Sequence, residues 1–164
     1  MRGTGVLVGA AKHLNGEARE QMLVDAMSIE ALTTSEIEGE ILNRASVQSS
    51  IQKQLGFASD RQHVRPAEQG ISELMVNLYR SADEALTDDV LFRWHGMVVS
   101  GRKDLRDVGR YRWSSEPMQI VSGVVCAPKV HFEAPPSTQV ATEMARFLEW
   151  FMAQRRERPE NFRL

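Results

Sequence analysis

A chain of 164 residues in which 42% are apolar and 26% charged can bury a core of its own, without a disulfide framework or a structural metal. Its formal net charge of −2 provides no basic excess for nucleic acid or anionic lipid, and its one cysteine, Cys126, excludes an internal disulfide and a multi-cysteine zinc site. The lone cysteine is the usage of a reducing compartment, so the cytoplasm is expected; the charge argues against a nucleic-acid partner, and no run approaches the roughly 20 consecutive apolar residues of a membrane-spanning helix, so no membrane partner is expected.

Met1 to Ala11 lacks the ordered regions of a signal peptide and reads as mature protein. From Glu17 to Glu38, apolar positions Met22, Ala26, Ile29, Thr33 and Ile37 follow a helical repeat and predict a long helix, ended by Gly39 at C′. Asn43 caps a second helix in which Val47, Ile51 and Leu55 repeat every four residues before Gly56. Pro66 at N1 opens a third, with Ile71, Leu74, Met75, Leu78 and Tyr79 as one buried stripe. Thr87, followed by Asp88 and Asp89, starts a fourth that reaches about Val99, with Val90, Leu91, Trp94 and Val98 inward.

Periodicity is lost from Gly101 to Arg112, where Arg102, Lys103, Arg106, Arg110 and Arg112 make a basic loop paired with Asp104 and Asp107. Two β-prone runs, Met118 to Val121 and Lys129 to Phe132, predict a hairpin with a long connection around Ser122, Gly123 and Pro128. Pro135 and Pro136 end it. Ser137 caps a last helix with Val140, Met144, Phe147, Leu148 and Phe151 on one side, and the polar stretch Arg155 to Leu164 is expected to fray. The fold class is therefore mainly α with one short hairpin.

The four histidines, His13, His63, His95 and His131, show no metal-ligand spacing, so no metal site is assigned. His95 reads as packed beside Trp94, and His131 as a hairpin residue. Ala45 to Arg61 has the outline of a helix-turn-helix start, but Val64-Arg65-Pro66 interrupts any recognition helix. Thr34 and Glu38, four residues apart, place a hydroxyl one turn before a carboxylate on one helical face.

The window Thr34, Ser35, Ile37, Glu38, Gly39 resembles the inhibitory-helix motif of Fic (filamentation induced by cAMP) proteins. The likeness continues through Val47-Gln48-Ser49-Ser50-Ile51, Leu55-Gly56, Trp94-His95 and Gly109-Arg110-Tyr111-Arg112. Met118-Gln119-Ile120-Val121-Ser122-Gly123 and Lys129-Val130-His131-Phe132-Glu133-Ala134-Pro135-Pro136 are similar to the family's flap hairpin and its exit.

The resemblance implies a protein adenylyltransferase, which moves AMP from ATP to a hydroxyl of a target protein. In that family the catalytic motif is His-Pro-Phe-x-x-Gly-Asn-Gly-Arg-x-x-Arg, with the His as base, a Gly-rich turn for phosphates and an Arg for the γ-phosphate. The inhibitory Glu competes for that Arg, because carboxylate and phosphate form the same bidentate pair with guanidinium. Carried over, Glu38 is that carboxylate, Thr34 and Ser35 belong to its motif, and Gly39 ends the helix. Glu36 and Glu40 would point roughly 160–200° away from it on a continuing helix.

No His-Pro-Phe or Gly-Asn-Gly-Arg occurs in these residues, so no catalytic residue is assigned and the chain alone is expected to bind no cofactor. The complete enzyme would use ATP with Mg. The implied organisation is an N-terminal Fic-associated domain over 1–66, the front of a Fic core over 67–154 with its flap at 117–133, and a polar tail over 155–164. The flap, Met118 to Gly123, would dock the target protein. The catalytic portion would act in cis or in trans, the latter making this chain an antitoxin-like inhibitor of a separate Fic chain; a homo-oligomer is left open.

Overall fold

The computed structural model describes residues 15–57, 63–124 and 126–156. These form a mainly α fold of five helices and one two-stranded antiparallel hairpin: α1 Gly16–Ile37, α2 Arg44–Leu55, α3 Pro66–Arg80, α4 Asp88–Val98, β1 Gln119–Val124, β2 Ala127–Glu133 and α5 Ser137–Arg156. None of the described helices is long and apolar enough to cross a membrane. The readings made on Met1 to Ala11 and on His13 lie outside the described residues. Two compact units are present, one running to Asp83 and including Trp94–Lys103, the other holding Glu84–Arg93 and the chain from Asp104. The boundary expected after residue 66 falls within the first unit.

In the first unit each helix start is fixed by a local acceptor. Asn15 Oδ1 takes the Ala18 N–H at 2.8 Å and Asn43 Oδ1 the Ser46 N–H at 3.0 Å, two orphan donors that the helices themselves leave unpaired. Gly56, at φ 85°, closes α2 in the left-handed conformation. The core joins Val24, Met27 and Ala31 of α1 to Val47 and Ile51 of α2 and to Ile71 and Val76 of α3. Burying each of the larger side chains contributes about 1.5–3 kcal/mol. Small residues bring the axes together: Ser28, Ser35, Ser46, Ser49, Ser50 and Ser72 are all buried. The Ser28 and Ser72 hydroxyls donate back to the carbonyls of Val24 and Glu68, at 2.6 and 2.7 Å.

The face that α1 buries is not the one along which this repeat runs. Val24, Met27, Ser28, Ala31 and Ser35 are inside, while Met22, Ala26, Ile29, Thr33 and Ile37 are exposed. The helix carries two apolar stripes on opposite sides. The one interrupted by serines packs, since small residues permit the closer approach to α2 and α3. On α3 the predicted stripe holds in part: Ile71 is in the core and Leu74 and Met75 pack against it, while Tyr79 is exposed and Glu68, Gly70, Ser72 and Val76 are also buried. Val98 of α4 is exposed rather than inward, and Trp94 Nε1 donates to Asn77 Oδ1 at 2.7 Å.

In the second unit the Thr87 hydroxyl accepts the Val90 N–H at 3.3 Å and starts α4. The two strands run further toward each other than the sequence predicts, from Val124 directly to Ala127 across a tight turn. Pro128 and Gly123 are partners in the ladder instead of parts of a long connection, because a two-stranded sheet leaves an edge on which proline is tolerated. A bulge between Ile120 and Val121 leaves His131 without a partner across the ladder. Helix α5 extends through Arg155 and Arg156, expected as tail, and Phe147, Trp150 and Phe151 on it are exposed. Residues 157–164 lie outside the described residues.

Candidate functional site

The C-terminal end of α1 is a Schellman turn. Glu38 is the C-cap, Gly39 follows at φ 82°, the Gly39 N–H donates to Glu36 O at 3.0 Å, and the Glu40 N–H to Ser35 O at 2.8 Å. Only a residue at ease with positive φ closes the helix this way. Thr34 and Glu38 are both exposed, whereas Ser35 is buried on the packed side. Glu40 stands beyond the left-handed residue, so the helical angle expected between it and Glu38 does not apply; Glu36, still in the helix, keeps its opposed direction.

Electrostatically this end is unusual. Glu36, Glu38 and Glu40 crowd the negative pole of the helix dipole and no basic residue occupies the last turn. Acids there are unfavourable by about 0.3–1 kcal/mol each. Among the described residues, no hydrogen bond or ion pair reaches the Glu38 carboxylate. The arrangement is a carboxylate held at a fixed helix end and open to a cation.

The hairpin residues Met118, Gln119, Ile120, Val121, Ser122 and Gly123 are all exposed. Gln119 pairs with Glu133, their side chains joined at 2.6 Å, and the Ser122 hydroxyl lies 2.7 Å from His131 Nε2. The Ala134 N–H donates to Met118 O at 2.8 Å. In an antiparallel ladder the bonds alternate, so this one makes Gln119–Glu133 a pair whose own N–H groups face away from each other. The Gln119 N–H thus points to the free edge and the Ile120 N–H points into the sheet.

Residues 1–57 match a family model described as Domain of unknown function (DUF4172). The match takes in α1 with its Schellman end and all of α2, and stops short of the hairpin. No curated protein matches the chain.

Sequence reasoning missed the most heavily bonded side chain of the first unit. Glu68, 1% exposed, accepts from the backbone N–H groups of Asn43 at 3.1 Å and Arg65 at 3.0 Å, and from Arg65 Nε at 2.8 Å. Burial pushes its carboxyl up, but the Arg65 and Asn43 hydrogen bonds outweigh that and hold it below its ordinary value. The signal was present as Pro66 at N1 with an acid at N3, the reciprocal half of a capping box. His95 is half-buried and His63 exposed. Among the described residues no group of three His, Cys, Asp or Glu side chains is placed to hold a metal ion.

Proposed function

We propose that this chain is the regulatory and target-docking portion of a Fic-family protein adenylyltransferase, with Glu38 as the carboxylate that restrains AMP transfer. One observation carries the reading: an exposed Thr34 and Glu38 at a Schellman-closed helix end, with Glu36 in its last turn, Glu38 at its C-cap and no basic residue in that turn. Such an end gains from a guanidinium and loses from standing alone. The ATP and its Mg belong, in this reading, to the portion bearing the catalytic motif. Cys126, exposed and unpaired, is in keeping with a reducing cytoplasm.

The test is AMP transfer from ATP by the chain joined to a Fic catalytic portion. Glu38→Gly raises the rate at limiting ATP. Losing a charged bidentate pair of about 1.5–3 kcal/mol corresponds to roughly 10- to 150-fold in the competition for the γ-phosphate Arg. Glu36→Gly, on the opposed side, changes it little. A fall in activity with Glu38→Gly, or equal activation by both substitutions, would remove the inhibitory role.

The hairpin is the proposed docking edge, an exposed strand that adds a segment of the target by main-chain pairing. Gln119→Pro deletes the outward donor and weakens target capture several-fold, while leaving ATP dependence unchanged. Ile120→Pro removes a bond to β2 and opens the hairpin itself, visible as loss of protection from hydrogen exchange at Phe132 and its neighbours. Target modification that is indifferent to Gln119→Pro would count against docking at this edge.

A further inference from the structure

We propose that Arg112 is a positioning residue that clasps the foot of the hairpin, adding from a side chain a cross-strand bond where two prolines leave the exit strand without donors. Beyond the Ala134 N–H, which donates to Met118 O at 2.8 Å, the exit strand offers Pro135 and Pro136, neither of which has an N–H to give. There the Arg112 guanidinium donates to the Pro135 carbonyl, and the Ser137 hydroxyl donates to Trp113 O at 3.4 Å. Both bonds run between the segment entering the hairpin and the segment leaving it.

The residue before Arg112 secures the same segment on its other side. The Tyr111 hydroxyl donates to Asp88 in the first turn of α4, and its ring meets Phe92 edge-on, centroids 4.8 Å apart at 76°. Burial and the Asp88 carboxylate push the Tyr111 phenol up to about 12, so it remains a donor across the physiological range. Tyr111 thus ties the entering segment to α4, and Arg112 ties the leaving segment to it. The hairpin, whose described residues are all exposed, has its direction set by these two side chains rather than by a core beneath it. A guanidinium suits the task because it stays charged and presents several donors in one plane.

Cys126, the only cysteine, is exposed at the hairpin turn and can carry a maleimide fluorophore whose time-resolved anisotropy reports segmental motion in the full chain. Arg112→Ala raises the amplitude of the fast component about twofold or more, with helix content by circular dichroism unchanged. Arg112→Lys, which keeps one donor, restores part of the restraint. Arg110→Ala, whose guanidinium pairs with Asp107 at 2.8 Å, leaves the decay as in wild type. An Arg112→Ala decay equal to wild type, or an Arg110→Ala decay equal to that of Arg112→Ala, would overturn the clasp. Only the consequence for targets rests on the docking reading: with the hairpin loosened, the target concentration for half-saturation rises and that for ATP does not. Loosening without that rise would retain the clasp and remove the docking edge.

Discussion

Gly70→Ala destabilises the first unit by about 2–3 kcal/mol, although alanine is the better helix former by about 1 kcal/mol. A Cβ at position 70 would lie 2.0 Å from the carbonyl oxygen of Met97 and 2.7 Å from Ser100 Cβ. The nearer atom belongs to backbone at the end of α4, which cannot rotate aside as a side chain would, so α3 and that segment must part. Chemical denaturation, following the helical signal, measures the loss. Gly96→Ala is the control: nothing stands within 4 Å of the added Cβ, and the same substitution there is neutral or stabilising. Equal effects at the two positions would mean that the close approach at Gly70 is not maintained in solution.

Glu68→Ala is expected to cost about 2–4 kcal/mol, since it strands the N–H groups of Asn43 and Arg65 at two helix starts together. Glu68→Gln retains shape and part of the bonding and costs less. The pH dependence separates the two contributions. Because the folded carboxyl lies below its ordinary value, its stabilisation is fully present above the unfolded pKa and is lost as pH falls through the lower folded value. Wild type therefore loses stability in acid, below about pH 4.5, more steeply than Glu68→Gln does. Parallel pH profiles for the two would show that the carboxylate's charge contributes nothing there.

What the sequence disclosed and what it concealed divide along the range of the interactions. Asn43, Pro66, Gly39 and Gly56 act on backbone within a few residues of themselves, and each is found at the cap or terminus its chemistry indicates. The inward face of α1 was not legible, because the helix is apolar on two sides and periodicity cannot choose between Met22-Ile29-Ile37 and Val24-Met27-Ala31. That choice depended on serines, which count as polar in any pattern but pack as small. Pro128, whose chemistry points to the connection, stands instead in the ladder opposite Gly123, on an edge that tolerates it. Thr34, Glu38 and Gly39 were visible as spacing and resemblance. Glu68 and Arg112 were not, since their partners Asn43 and Pro135 are brought near only by the fold.

The unequal edges of the hairpin also limit how copies of this chain can associate. A fibre of hairpins requires two receptive edges per molecule, so that the β1 of one pairs with the β2 of the next without end. Here β2 carries Pro128 beside Lys129, and its ladder is broken at His131, while β1 has no proline. Addition of a strand onto β2 meets a missing donor at Pro128 and a charge at Lys129, so β1 is the more receptive edge, and a pairing of β1 with β1 is two-fold and closed where a chain of β1-to-β2 pairings is open.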